Sequence, residues 1–268
     1  MQQRNDNGGS PPLSLDLPAV IGHRGAAARA PENTLAGFRA AKALGCRWVE
    51  FDVRLTADNA LVVCHDDALA RTTGARGSIS QLPLAAIRAL DAGNWFAPEF
   101  TGEPVPTLDE TLTLCAELGL GTNVEIKAER GRGRATALAV AATLAGVTTR
   151  LPPILISSFL AEAVAQAATS MSAVPRGMLW RKLPRNWQTI AGRLGCTTIH
   201  CGQADLTERA AAAVRAAGYP LLAYTVNDAA RARQLYGWGV ASVFSDAPDI
   251  IAASAMPVHA AARTGASC

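Results

Sequence analysis

Five residues have the types and the spacing to do chemistry together: His23, Glu50, Asp52, His65 and Glu125. The pairs Glu50-x-Asp52 and Glu125-x-Lys127 have the i, i+2 spacing that puts both side chains on one face of a β-strand. Three carboxylates brought into one small volume repel one another unless a cation lies among them. Oxygen ligands of that kind suit one hard divalent ion, Mg2+ or Ca2+, with Mn2+ as a third choice. Two histidines beside such an ion would supply a general acid and a general base. Arg24, directly after His23, and Lys127 would add positive charge for an anionic ligand. Each residue alone reads as a salt-bridge partner or a structural histidine; the joint pattern points to a site.

The elements that must position these residues follow from the periodicity. Short β-like runs at 19–22, 47–53, 123–126, 154–157, 177–180, 197–200, 221–226 and 242–244 alternate with Ala-rich helical stretches. Those stretches begin near 34, 107 and 160, or cover about 135–146, 186–194, 207–217 and 228–236. About eight strands alternating with helices over roughly 250 residues is the arithmetic of an α/β fold of the (β/α)8 TIM-barrel kind, with a doubly wound open sheet as the alternative. A further run at 61–64 follows the second strand too closely for a helical crossover and suits a hairpin with Asp58-Asn59 at its tip. A tip between those two residues places His65 opposite Asp52. Residues 66–104 have no place in the βα rhythm and read as a small insertion over one end of the barrel. In a barrel of this kind His23, Glu50, Asp52, Glu125 and Lys127 all fall at C-terminal strand ends, the mouth where such folds keep their active sites.

Residues 1–18 and 257–268 lack periodic apolar positions and read as a disordered leader and a flexible tail around a single domain over 19–256. The tail includes His259. The 268 residues are 49% hydrophobic, enough for a large core, and the formal net charge of +3 comes from scattered basic residues with no nucleic-acid-binding arm among them. Arg130, Arg132 and Arg134 read as a solvated loop. The six cysteines form no metal-binding spacing and read as reduced thiols. With no signal-peptide pattern and no long apolar run, a cytoplasmic protein without stable membrane association is expected. Oligomeric state is not legible.

His23-Arg24-Gly25, Pro31-Glu32-Asn33-Thr34, Glu50-x-Asp52, His65-Asp66 and Asn123-Val124-Glu125-Ile126-Lys127, in that order, resemble the motif series of glycerophosphodiester phosphodiesterases. The segments Asp91-Ala92-Gly93-Asn94-Trp95-Phe96, Ser157-Ser158-Phe159, Tyr224-Thr225-Val226-Asn227 and Phe244-Ser245-Asp246 are similar to that family's too. The short insertion resembles the bacterial cytoplasmic members. The resemblance implies metal-dependent hydrolysis of a small glycerophosphodiester, such as glycerophosphocholine or glycerophosphoethanolamine, to sn-glycerol 3-phosphate and an alcohol. Glu50, Asp52 and Glu125 would hold the ion, and His23 and His65 would be the acid and base in an order left open. Either water or the substrate's 2-hydroxyl would attack. Arg24 and Lys127 would meet the phosphate, while Trp95, Phe159 and Tyr224 would wall the glycerol carbons. His200 is a weaker choice for ligand contact, and Glu32 would brace the site. The alternatives are a lysophospholipase D-like phosphodiesterase and a non-catalytic barrel.

Overall fold

The structure, a computed structural model, describes residues 15–147 and 151–254. Its strands are β1 (Val20–Gly22), β2 (Trp48–Leu55), β3 (Leu61–Val63), β4 (Gly121–Ile126), β5 (Ile154–Ser158), β6 (Arg176–Trp180), β7 (Thr198–Gly202), β8 (Leu221–Tyr224) and β9 (Ser242–Ser245). All but β3 run parallel, and β1 pairs with both β9 and β2, so the sheet closes into an eight-stranded barrel. The helices in chain order are α1 (Leu35–Ala43), α2 (Ala70–Thr73), α3 (Leu84–Arg88), α4 (Leu108–Leu118), α5 (Gly133–Gly146), α6 (Ala161–Ser170), α7 (Trp187–Arg193), α8 (Glu208–Ala216), α9 (Ala229–Gly237) and α10 (Pro248–Ser254). All but α2 and α3 follow the barrel rhythm. The closing helix α10, which begins at a proline, is an element the periodicity did not single out.

Alternation along β2 shows how one sequence serves two environments. Val49, Phe51, Val53 and Leu55 point outward and pack in the layer between strands and helices, while Glu50 and Asp52 take the inward positions. The barrel is filled by Ile21, Trp48, Leu155, Leu222 and Phe244, against which Leu15, Leu17 and Tyr224 pack. The domain therefore starts before the expected boundary at 19. Leu15 and Leu17 bury apolar surface there, Arg47 pairs with Asp16, and Ser242 Oγ donates to the Pro18 carbonyl. Residues 1–14 of the expected leader, and the expected tail, lie outside the described residues.

The hairpin is present, but its register differs from expectation. Val53, Arg54 and Leu55 pair with Val63, Val62 and Leu61, which centres the turn on Asp58 and sets Cys64, not His65, opposite Asp52. The cause is a three-residue loop, Ala57-Asp58-Asn59, closed by Thr56 N–H donating to Ala60 O at 2.9 Å, with Asn59 in the left-handed region at φ 62°. Cys64 N–H donates to Asp52 O, after which the chain leaves the ladder and carries His65 toward the mouth.

The insertion has its own small core of Val62, Cys64, Leu69, Ile79, Ile87, Ala92 and Val105. Its outer loop is organised by Asp91, whose carboxylate accepts from the backbone N–H groups of Gly93, Asn94 and Gly102. Glu103 ties it to the barrel by accepting from Ala36 N–H in the first turn of α1. Among the described residues no helix is long and apolar enough to cross a membrane. Cys46, Cys64, Cys115, Cys196 and Cys201 are free and buried.

Local backbone needs explain the His23-Arg24-Gly25 turn. Gly25 has φ 89°, and a Cβ there would lie 2.6 Å from the backbone carbon of Gly37 in α1. Glycine at 25 lets the turn lie against the start of α1, where Thr34 caps the helix by accepting from Gly37 N–H. Gly25→Ala is expected to lower unfolding stability by about 1–3 kcal/mol, measurable as a drop in the urea midpoint at unchanged m-value.

Candidate active site

The parallel register between β2 and β4 sets Glu50 beside Asn123 and Asp52 beside Glu125. Both strands point alternate residues inward, so Glu50, Asp52 and Glu125 converge at the mouth with ligand oxygens all within 4.8 Å of one another. All three are at most 6% exposed. Burial, then the neighbouring charge of Asp52, pushes the Glu50 carboxyl up to about 8. Burial and Asp52 also raise Glu125. Asp52 is instead held well below the usual carboxylate range, because Lys127 and Arg24 outweigh the cost of its burial. Lys127 Nζ lies 2.6 Å from Glu125 Oε1 and 3.4 Å from Asp52 Oδ1. Glu50 Oε1 is buried with no hydrogen-bond partner. An unmatched buried carboxylate oxygen within a cluster of three acids suits a divalent cation, so the donor set fits the ion that the sequence pattern implies.

The two histidines flank this cluster from different elements, each braced by an aspartate. His23, at the end of β1, has Nδ1 2.6 Å from Asp246 Oδ1 just beyond β9, and its Nε2 lies 3.8 Å from Glu50 Oε2. Asp246 is itself fixed: Asn227 Nδ2 donates to its other oxygen, and its backbone N–H donates to Asn227 Oδ1 at 2.8 Å. Burial opposes a charge on His23, but Glu50 and the bond to Asp246 outweigh it and raise the pKa. His65 Nδ1 lies 2.7 Å from Asp66 Oδ1. Burial, reinforced by the charges of Arg24 and Lys127, lowers the His65 pKa even though Asp52 is near enough to oppose the shift.

Arg24 Nε lies 3.5 Å from Asp52 Oδ2, and Nη1 donates to Glu32 at 2.8 Å, so Glu32 does brace the turn. Thr34 caps α1, and its neighbour Asn33 has a different role. With φ 57°, Asn33 turns toward the site instead and donates from Nδ2 to Asp52 Oδ2 at 2.9 Å. Lys127 Nζ stands 5.4 Å from the centre of the Phe159 ring, which meets Tyr224 edge-on at 5.8 Å. Tyr224 lines a small cavity with His23, Glu50, Asn123, Glu125, Leu179 and Phe244. Trp95 does not join this group: it is 40% exposed, packs on Phe96 within the insertion, and its indole N–H donates to Ala92 O. His200 is fully buried inside the barrel, bonded to Thr198 Oγ1, with its ring tilted against that of Phe244 at 5.4 Å. Burial drives its pKa down to about 3, the behaviour of a neutral interior histidine.

Four residues of this arrangement had no role assigned from sequence: Asp246, Asn227, Asp66 and Arg71. The first three fell inside recognised motifs; Arg71 did not. From α2 its guanidinium bonds both oxygens of Glu32 and Asp66 Oδ2, at 2.6 to 2.8 Å. One exposed side chain thus indexes the carboxylates that hold Arg24 and His65. Arg71→Ala is expected to lower kcat about tenfold with a smaller change in KM, and Arg71→Lys, with one point of attachment, to recover only part of it.

A closed parallel barrel with a buried acidic cluster and two histidines at its C-terminal mouth defines a barrel enzyme. The chain belongs to the glycerophosphoryl diester phosphodiesterase family, whose model matches residues 23–250, and it is accordingly a phosphoric diester hydrolase. A glycerophosphodiester phosphodiesterase of Bacillus subtilis is 29% identical over 253 residues, covering 89% of this chain and 86% of its own length. A phosphodiesterase of Oleispira antarctica, solved in complex with the product sn-glycerol-3-phosphate, is 38% identical with a TM-score of 0.87, covering 89% of this chain and 96% of that one. A glycerophosphodiester phosphodiesterase from Agrobacterium tumefaciens superposes with a TM-score of 0.73 at 29% identity, covering 88% of this chain and all of its own.

Proposed function

We propose that this chain hydrolyses small glycerophosphodiesters to sn-glycerol 3-phosphate and an alcohol, using a divalent cation at Glu50, Asp52 and Glu125 and proton transfer by His23 and His65. The observation that carries this reading is the convergence of three buried carboxylates within 4.8 Å between two aspartate-braced histidines. The bound product in the Oleispira antarctica relative supports the choice of diester. When bound, the cation supplies Lewis-acid polarisation of a phosphoryl oxygen. Arg24 and Lys127 place positive charge where the phosphate oxygens gain charge in the transition state. Phe159 and Tyr224 give an apolar wall for carbon, and Trp95 is left without a part in binding the glycerol.

The environments of the two histidines divide the labour. His65, held neutral, accepts the proton of the nucleophile; His23, held charged, donates one to the departing alcohol. The pH profile of kcat/KM is therefore expected to be a bell. Its acid limb reports protonation of His65 and falls below the ordinary histidine value of 6.5, and its alkaline limb reports loss of the His23 proton above it. A profile with a single limb contradicts the assignment.

The functional test is to strip the protein of metal, restore Mg2+, Ca2+ or Mn2+, and follow glycerol 3-phosphate release from glycerophosphocholine, glycerophosphoethanolamine and glycerophosphoglycerol. Exposed Trp95, with Phe96 and Phe100 packed beside it, supports a second reading in which lysophospholipids at an interface are the substrate. Faster turnover of lysophosphatidylcholine than of the water-soluble diesters would select that reading. Five free, buried thiols suit a reducing compartment, which supports a cytoplasmic location.

A further inference from the structure

The mouth is electrically divided. The acids and the two histidines, with Arg24 and Lys127 paired among them, lie at β1 to β4, and among the described residues the far side carries unpaired cations. The segment after β6 presents Arg181, Lys182 and Arg185, all exposed. Among the described residues none of the three has an ion pair or a side-chain hydrogen bond. Strand order places that segment next to the β5 end, where Phe159 stands, and Lys127 follows β4 on the far side of β5. The neighbouring segment after β7 contributes one exposed carboxylate, Asp205, so the two segments together carry net positive charge. The Tyr224 hydroxyl is buried without a hydrogen-bond partner; burial raises its pKa, and the charge of Arg181 opposes that shift.

A diester phosphate at the carboxylate cluster has two substituents to place. The small cavity under Leu179, Tyr224 and Phe244 is lined by His23, Glu50 and Glu125 and so lies at the cluster itself. A substituent directed away from the acids of β1 and β2 passes Lys127 and Phe159 toward the segment after β6. A quaternary ammonium finds little there, because Lys127 already stands over the Phe159 ring and the charges beyond repel it. We propose that Arg181, Lys182 and Arg185 form a subsite for the alcohol half of the diester and select alcohols that carry their own anionic group, a second phosphate or a carboxylate. This rests on the phosphodiesterase reading above.

The test compares two substrates that differ by one terminal phosphate: glycerophosphoglycerol and the same diester bearing that group, with glycerophosphoserine and glycerophosphocholine as carboxylate and cation arms. At low ionic strength kcat/KM is expected to favour the phosphorylated diester by roughly tenfold, and that advantage to shrink as salt screens exposed charges. In the variant Arg181→Ser/Lys182→Ser/Arg185→Ser the ratio collapses toward one, and in Lys182→Glu/Arg185→Glu it falls below one while glycerophosphocholine becomes the preferred substrate. A ratio near one in the wild type, or a preference that survives the triple substitution, overturns the proposal. Absence of turnover on every diester overturns the functional reading beneath it.

Discussion

Alanine at either His23 or His65 is expected to lower hydrolysis of glycerophosphocholine by about 10^2- to 10^4-fold, the usual reach of a lost general acid or base. The two variants should part company on bis(p-nitrophenyl) phosphate. A nitrophenolate departs without a proton, so the variant lacking the acid recovers much of its rate, whereas the variant lacking the base does not. The environments assign the recovery to His23→Ala: the short contact with Asp246 favours a charged ring there, and burial with Arg24 and Lys127 favours a neutral ring at His65. Recovery of both variants, or of His65→Ala alone, contradicts that assignment.

Removing any one carboxylate of the cluster is expected to weaken cation binding and activity together, by about 10^3-fold if the ion supplies the several kcal/mol typical of Lewis-acid catalysis. Glu50 adds a signature that does not depend on turnover. In the cation-free protein its pKa of about 8 leaves it protonated at neutral pH. Binding an ion must expel that proton, so calorimetry at pH 7 should show release of about one proton through its dependence on buffer ionisation enthalpy. The release should fade well above pH 8. The same shift has a cost for folding. A carboxyl raised from 4.5 to about 8 binds its proton more tightly in the folded state, so stability falls as pH rises through that interval. Glu50→Gln should thus stabilise the cation-free protein at pH 8 while abolishing proton release on cation binding.

Much of this site was legible because strand periodicity is strict: Glu50 with Asp52, and Glu125 with Lys127, share faces whatever the details of the fold. The placement of His65 was less so. A hairpin of the right strands was evident, but a three-residue loop ending in left-handed Asn59 moved the register and set Cys64 opposite Asp52. Turn conformation of that kind depends on one residue's φ, which composition does not reveal. Arg71 was invisible for another reason. It stands in the insertion, 39 residues from Glu32 along the chain, and only folding brings the two together. Leu15 and Leu17 shared a stretch of breakers with the leader, and what rescues them is the apolar end of the barrel that they cover.

Whether the three carboxylates hold a cation needed for diester hydrolysis is decided by titrating Mg2+, Ca2+ or Mn2+ into stripped protein while measuring bound ion and glycerol 3-phosphate release in the same sample. Both should rise together and saturate at one ion per chain in the wild type, and neither should rise in Asp52→Ala. Full release of glycerol 3-phosphate by stripped protein in the presence of a chelator would contradict a need for the cation.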